Sequence, residues 1–397
     1  MSTLLSLNEP DAPPPSGLAL WELGFRPFYL LAALLAAMSV PLWAAQVAGW
    51  LTHVWLQGPA WHAHEMLFGF ALAVIVGFLF TAGRNWSGQP TPHGRALQVL
   101  VALWLLARLA ALGPWPLLVL LSNLAFIGGA AWGLARALVA GGNRRNYFFV
   151  VLLLAFGAVE VAFHAGLAGG ALLQAGLDVV LFVMTVMAGR VVPMFTNNGV
   201  PGAQAGRHPV VERAALATPL ALLALDVLSS FGVTGAWLDA ALSGVAVLAA
   251  IAHAARLWLW QPWTTWRTPL VWVLHLAYAW VPLHLLLRAG AAGGLWGSGP
   301  AVHALTTGAM GLLTLAMMTR TARGHTARPL RTNAVDVASY ALVALAALLR
   351  CALPLLWPAA LVPAVVASAA AWSLGWLLYV GQYGPWLLRP RLDGRPG

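Results

Sequence analysis

Long apolar runs follow one another along this sequence with only short polar breaks, and they restrict the fold more than any other feature. A helix needs about 20 apolar residues, at 1.5 Å each, to cross roughly 30 Å of hydrocarbon. Little sequence is left for a soluble domain. The sequence therefore predicts an all-α, polytopic membrane helix bundle of about twelve transmembrane helices. The predicted spans are approximately 25–48, 62–82, 96–112, 115–138, 147–166, 172–192, 212–231, 236–257, 268–288, 300–320, 333–352 and 356–385.

The basic residues indicate how the bundle is oriented. The chain has 21 basic residues, all arginines, against 11 acidic ones. Such an excess can indicate nucleic-acid binding, but membrane proteins distribute arginine by the side of the membrane. All but three of the 21 fall on the side that both termini share in a twelve-helix arrangement. The exceptions are Arg108, Arg288 and Arg350. The positive-inside rule therefore predicts cytoplasmic N and C termini, and no nucleic-acid partner is expected.

The same pattern divides the chain into a bundle and two short tails. Residues 1–24 are predicted to form a cytoplasmic tail, 25–385 the transmembrane bundle with a cytoplasmic loop at about 194–211, and 386–397 a cytoplasmic C-terminal tail. The first eighteen residues lack the basic region of a signal peptide. Cys351 is the only cysteine, which excludes an intramolecular disulfide and a thiolate metal cluster built from one chain.

Histidines are concentrated towards the side opposite the predicted cytoplasmic termini. Ionisable groups within membrane spans are expensive, so each is a functional candidate, although a hydrogen bond to a neighbouring helix is the ordinary alternative. Neutral imidazole is a common metal ligand and the usual axial ligand of haem iron. Several histidines at one depth could therefore hold one cofactor. The histidines in or near the outer third are His53, His62, His64, His164, His284 and His303.

The stretch WHAHEM, residues 61–66, places two of these histidines at the start of a span. In an α-helix, His62 and His64 point to nearly opposite faces, which predicts two separate roles. His62, Glu65 and Met66 are spaced to share a face that could hold copper, or Glu65 could pair with a histidine or an arginine. If the helix began only after His64, both histidines could bind one metal ion.

Two further spans carry polar residues at helical spacing. Glu160 and His164 lie one turn apart, so Glu160 could relay protons or orient His164 as a hydrogen-bond acceptor. In the tenth span, His303, Thr307, Met310, Thr314 and Met317 form a stripe. The stripe could line a path for protons, a small ligand or a metal ion, or its threonines and methionines could simply serve helix packing.

Five long motifs make the sequence similar to the NnrS family. They are LGFRPFYLLAAL, WHAHEMLFGFALAVIVGFLFTAGRNWSG, GRVVPMFTNN, LHLAYAW and HALTTGAMGLLTLAMMTRTARGHTARPL, in this order along the chain. The resemblance implies a bacterial inner-membrane protein that contains haem, expected to be of the b type, and copper. It also implies an association with denitrification and with protection against nitric oxide and nitrosative stress. The family's motifs fall on His62, His64, His275, His303 and His325, with Glu65 and Arg320 in the same stretches.

The candidate residues follow from the motifs and from the depth argument together. Glu65 and Glu160 are the candidate catalytic carboxylates. The candidate cofactor-binding residues are His62, His64, His164, His275, His303, Arg26 and Arg320, and the candidate metal ligands are the same histidines with Met66. For Arg26 and Arg320, anchoring at a helix end is the ordinary explanation, and binding of phosphate or haem propionate is the alternative. The division of these residues between haem and copper stays open.

Three other functions compete with a haem and copper protein that binds or turns over nitric oxide. A haem-copper reductase or oxidase has a similar helix number, but those enzymes carry an adjacent His-His pair that this sequence lacks. A transporter is a common twelve-helix plan, although its polar residues usually lie at mid-membrane. A sensor or metal-delivery protein would need a partner. The expected partners are the lipid bilayer, a small nitrogen species and an electron donor.

Overall fold

The computed structural model describes residues 17–52, 58–166 and 169–395, with the side chains of 169–171 excepted. These residues form twelve long helices, and no strand is found among them. The helices are α1 Phe25–Val47, α2 Gly58–Ser87, α3 Gly94–Ala110, α4 Pro116–Ala140, α5 Phe148–His164, α6 Gly169–Gly199, α7 Pro209–Ser230, α8 Ala236–Leu259, α9 Pro269–Ala292, α10 Gly299–His325, α11 Ala334–Leu356 and α12 Leu361–Leu388. The predicted all-α membrane bundle is confirmed, while His53 and residues 1–16 of the predicted N-terminal tail lie outside the described residues.

Ten of these helices are long and apolar enough to cross a membrane within the described residues. The other two are α3, which is 17 residues long, and α7, which carries charged side chains. Some of their charges are paired within the bundle: Arg108 of α3 pairs with Glu65, and Glu212 of α7 pairs with Arg256. Helices suit a bilayer because they satisfy their own backbone hydrogen bonds. Ion pairs within the bundle reduce the cost of placing the charged side chains of α3 and α7 in the membrane.

The predicted ends of the long loop and of the C-terminal tail differ from the structure. Helix α6 continues through Pro193 to Gly199, six residues into the predicted loop, and the connection to α7 is 200–208. Proline is tolerated within membrane helices because neighbouring groups satisfy the freed carbonyl. Helix α12 extends to Leu388 rather than ending at 385. Both helices therefore reach further than their hydropathy indicates.

The bundle closes by packing its last helix against its first. The Trp372 indole of α12 donates to the carbonyl of Ala36 in α1 (3.0 Å), and the Ala19 amide donates to the carbonyl of Leu388 (2.9 Å). The chain ends therefore meet at one face of the bundle, which we call the termini face. Because consecutive helices are joined by short connections and run in alternating directions, α2 and α10 begin at the opposite, distal face.

Helices α2 and α10 share an irregularity close to the distal face. Each contains a stretch of π-helix, Glu65–Ala71 in α2 and Ala304–Met310 in α10. In both, the stretch follows a histidine directly, His64 in α2 and His303 in α10. π-Turns are rare in proteins, and many of those that occur lie at functional sites. A functional site is therefore expected near these two stretches.

Candidate functional site

A cavity of about 490 Å³ lies between α1, α2, α6, α10, α11 and α12 near the distal face. We call it the distal cavity. Its walls are mainly aliphatic and aromatic, with a small number of polar or sulfur-containing side chains. Those groups are His62 and Met66 from α2, His303, Thr306, Thr307 and Met310 from α10, Arg350 from α11, Ser368 from α12 and the indole of Trp43 from α1. An apolar cavity with a few converging polar groups is the usual form of a cofactor site.

His62 forms one wall of the distal cavity. Its ring stacks on Trp43, with centroids 4.2 Å apart and an interplanar angle of 15°. Its Nδ1 is buried and has no hydrogen-bond partner among the described residues. The Arg350 guanidinium lies 5.9 Å from the centre of the Trp43 ring. The imidazole is therefore held in place by stacking, while one ring nitrogen is left without a protein partner.

His303 faces the same cavity from α10. Its Nδ1 lies 2.8 Å from the carbonyl oxygen of Gly299. Because a carbonyl can only accept a hydrogen bond, this nitrogen carries the proton, and Nε2 of a neutral ring keeps its lone pair. A histidine oriented through its other nitrogen in this way is typical of metal ligands.

His64 points away from the distal cavity into a cluster of polar side chains. Its Nε2 lies 3.1 Å from Glu160 Oε2, and His164 Nε2 lies 3.3 Å from Glu160 Oε1. One ligand atom from each of the three residues can be chosen so that all three lie within 4.8 Å of one another. We call these residues the histidine–glutamate cluster. Its dimensions suit a single metal ion.

Further hydrogen bonds and an ion pair surround this cluster. His64 Nδ1 lies 3.0 Å from Glu65 Oε1, and Arg108 Nε lies 3.4 Å from Glu65 Oε2. Arg108 also donates to Asn123 Oδ1 (2.8 Å), and Asn123 Nδ2 donates to Glu160 Oε1 (2.7 Å). The five side chains form a closed ring within the protein.

Both nitrogens of His64 face carboxylates, which restricts its protonation. A carboxylate only accepts hydrogen bonds, so a ring nitrogen of His64 that bonds an ionised Glu65 or Glu160 must carry a proton. A metal ion at Nε2 would replace the proton on that nitrogen and leave Nδ1 bonded to Glu65. The cluster can therefore hold either a proton or a metal ion at the same ring nitrogen.

The structure corrects the predicted grouping of His62, Glu65 and Met66. His62 and Met66 both line the distal cavity, but Glu65 contacts His64 and Arg108 instead. Glu65 is the first residue of the π-turn, and the ion pair with the buried Arg108 side chain stabilises its carboxylate on the side of His64. The helix begins at Gly58, before His62, so the two histidines do not converge on one ion.

Three other candidates lie outside both groups. The Thr196 hydroxyl donates to the Val192 carbonyl and accepts from His275 Nε2 (2.8 Å), near the termini face. Arg26 donates to the carbonyls of Leu387 (3.0 Å) and Arg389 (2.7 Å), at the end of α12. The Arg320 guanidinium lies 3.7 Å from the centre of the Phe195 ring.

The α10 stripe is divided between two environments. Its upper part lines the distal cavity through His303, Thr307 and Met310. The Thr314 hydroxyl instead donates to the carbonyl of Met310 (2.7 Å) within its own helix. Thr314 and Met317 are not among the residues that line the cavity, so the stripe contributes to the cavity only as far as Met310.

Several residues at these sites were not predicted from their sequence positions. They are Trp43 and Arg350 at the distal cavity, and Arg108 and Asn123 beside the cluster. The sequence does single out the arginines. Arg108, Arg288 and Arg350 are the three arginines that fall on the opposite side of the membrane from all the others. Arg288 bonds Asp178 of α6 (2.5 Å) and Asp226 of α7, so each exceptional arginine takes part in a polar or cavity environment near the distal face.

Comparison with known proteins agrees with the architecture. A family model described as NnrS protein matches residues 19–391, which include all twelve helices. No curated protein matches the sequence. The chain therefore belongs to the NnrS family, and this membership supports, in general terms, a multi-pass membrane protein related to nitric oxide.

Proposed function

We propose that this protein binds haem in the distal cavity and copper at the histidine–glutamate cluster, and that it binds or turns over nitric oxide or a related nitrogen species. It would act in the inner membrane of a bacterium and lower nitrosative stress during denitrification. The observation that carries the proposal is the apolar cavity lined by His62 and His303, together with a cluster of two histidines and a glutamate that offers ligand atoms to one ion.

The distal cavity is too large for a single ion, and its polar groups suit haem. Its volume of about 490 Å³ far exceeds the roughly 30 Å³ that one water molecule occupies, so a single ion would leave it largely unfilled. Imidazole and thioether are both known axial ligands of haem iron, and the cavity offers His62, His303, Met66 and Met310. Arg350 offers a guanidinium for a propionate, and its Nε has no partner among the described residues.

The histidine–glutamate cluster fits copper in its donor set. Two imidazoles and one carboxylate suit a first-row transition metal such as copper. Glu65 would orient His64 through Nδ1, and Asn123 would hold Glu160, as outer partners of metal ligands commonly do. The two glutamates carry two negative charges, and Arg108 offsets one of them. A copper ion of charge +1 would offset the other.

The bound groups would supply a coordination position for nitric oxide and a means of electron transfer. The residues of the chain would prepare the surroundings. Apolar side chains such as Val40, Leu177 and Val365 line the distal cavity and suit a small uncharged ligand arriving through the hydrocarbon. His64 would hold a proton on Nδ1 next to Glu65, where it can move between the two. Any turnover would also require an electron donor.

The test combines absorption spectra with metal analysis on detergent-purified protein. Spectra are recorded oxidised, dithionite-reduced and after nitric oxide addition. We expect His62→Ala and His303→Ala to lose the haem band and retain copper. We expect His64→Ala and His164→Ala to lose copper and retain haem. His275→Ala is the matched control, because it removes a buried histidine outside both groups, and it should retain haem and copper.

Other outcomes would favour different functions. A wild-type protein with neither haem nor copper would refute the cofactor assignment, and substrate flux in metal-free liposomes would then support a transporter. Loss of haem in the control variant alone would place the haem ligand near the termini face. Steady, electron-dependent consumption of nitric oxide or oxygen by the pure protein would favour a reductase or oxidase over a binding protein.

A further inference from the structure

Four arginines converge on one surface pocket at the termini face. The pocket has a volume of about 730 Å³, and its arginines are Arg144 and Arg145 from the α4–α5 connection, Arg190 from α6 and Arg207 from the α6–α7 connection. We call it the arginine pocket. Arg207 also donates to the main-chain carbonyl of Arg190 (3.3 Å), so these two arginines are in direct contact.

These arginines have no carboxylate partner in the part of the chain that the structure describes. None of the ion pairs found there involves them, and no acidic residue is among the described residues that line the pocket. Some other arginines of the bundle are paired with carboxylates, as Arg256 is with Glu212 and Arg323 with Asp336. The pocket therefore gathers positive charge that the described residues do not neutralise.

The pocket is held in shape by a chain of hydrogen bonds. Arg190 donates to Asn146 Oδ1 (2.8 Å), and Asn146 Nδ2 donates to Asn143 Oδ1 (2.9 Å). Asn143 in turn donates to the carbonyl of Trp86 at the end of α2 (2.7 Å). Asn146 is buried. This chain fixes Arg190 before any ligand binds, so less of its conformational freedom is lost on binding.

The surroundings of the pocket fit a lipid. Val151 and Leu154, on α5 just beyond the α4–α5 connection, are exposed large hydrophobic side chains. Trp86 is of the residue type that concentrates at the membrane–water interface. An ion held by the arginines would therefore lie next to apolar surface suited to acyl chains.

We propose that the arginine pocket binds the phosphate headgroup of an anionic phospholipid, with the acyl chains lying along α5 and α6. The guanidinium group matches phosphate oxygens with two parallel hydrogen bonds, and basic pockets between membrane helices bind such headgroups. A headgroup with two phosphates, such as that of cardiolipin, neutralises more of the four charges than a single phosphate does.

The test measures thermal unfolding of the full-length, delipidated protein in neutral detergent. Cardiolipin, phosphatidylglycerol, phosphatidylcholine and inorganic phosphate are added separately. The pocket variant is Arg145→Gln with Arg207→Gln, which leaves the Arg190–Asn146 bond intact. The control variant is Arg95→Gln with Arg331→Gln, which removes the same charge from exposed positions outside the pocket.

We expect the two anionic lipids to raise the unfolding temperature of wild type and control, and phosphatidylcholine to have little effect. In the pocket variant, the apparent dissociation constant for cardiolipin should rise by about tenfold or more, since each arginine near an anionic surface contributes on the order of 1 kcal/mol. If the pocket variant is not folded without lipid, Arg207→Gln alone serves the same purpose. The one hydrogen bond found for the Arg207 side chain among the described residues is to the Arg190 carbonyl (3.3 Å).

Three results would overturn the proposal. An equal loss in the control variant would mean that overall charge attracts the lipid. An equal effect of phosphatidylcholine would mean that the bundle responds to acyl chains alone. Saturation by inorganic phosphate that also displaces cardiolipin would assign the pocket to a soluble phosphate instead of a lipid.

Discussion

Asn123 offers the sharpest test of the ring around the histidine–glutamate cluster. Its side chain is fully buried in α4 and joins two charged groups, accepting from Arg108 (2.8 Å) and donating to Glu160 (2.7 Å). Asn123→Leu keeps a side chain of similar size but removes both hydrogen bonds. The substitution therefore tests the polar connection with little change in packing volume.

The expected loss follows from the two bonds. A hydrogen bond to a charged group contributes about 1.5–3 kcal/mol. Arg108 keeps Glu65 as a partner, and Glu160 keeps His64 and His164, so the lower value applies to each bond. The sum is about 3 kcal/mol, which corresponds to a fall of about 6 °C in unfolding temperature at roughly 2 °C per kcal/mol for a large domain.

The assay is thermal unfolding in detergent at one fixed scan rate. Leu121→Ala is the matched control, because Leu121 lies on the same helix and is exposed on the surface of the bundle. Arg108→Met is measured alone and together with Asn123→Leu, and the pair should be less destabilising than the sum by about 1 kcal/mol. A fall below about 2 °C for Asn123→Leu, or additive effects of the pair, would refute the ring as a connected network.

Two further substitutions test the packing around the sites. Arg288→Met should destabilise the protein by about 3–5 kcal/mol, because it leaves two aspartates buried without their cation. Changing both aspartates to asparagine in this variant should restore part of the lost stability. If stability is not restored, the ion pairs do not explain the loss. Gly308→Ala should destabilise by about 1–3 kcal/mol, because the added Cβ would lie 2.4 Å from the buried Trp280 ring. Gly244→Ala is the control for the second change, because a Cβ added there has no atom within contact distance. Equal unfolding temperatures for the two alanine variants would show that α10 and Trp280 move apart without a cost in stability.

The order of the helices and the family were predictable from the sequence. The motifs that indicated the NnrS family belong to a match that extends over residues 19–391. Hydropathy located twelve helices because the bilayer imposes its thickness on each span separately, and no knowledge of neighbouring helices is needed to recognise one. Helix ends were less predictable: α6 passes Pro193 and continues to Gly199 because local contacts, rather than composition, decide where it stops.

The predicted separation of His62 and His64 depends only on the geometry of one helix, and the structure places them in the distal cavity and the histidine–glutamate cluster respectively. Glu65 was placed on the face of His62, whereas its carboxylate contacts His64 and Arg108, which is the pairing with a histidine or an arginine that the sequence left open. The π-turn that begins at Glu65 could not be read from helical spacing. A sequence gives the local spacing of side chains but not the places where a helix departs from it.

Sequence alone determined that the chain crosses a membrane many times and which histidines lie near one face, since burial in hydrocarbon acts on each segment by itself. Tertiary structure decided which side chains meet. His64 and Glu160 are 96 residues apart, and Asn123 and Glu160 are 37 apart, so their contacts exist only after α2, α4 and α5 pack together. The cavity between His62 and His303 likewise arises from six helices at once. Pairing between helices depends on shape and charge across the whole bundle, which no single segment contains.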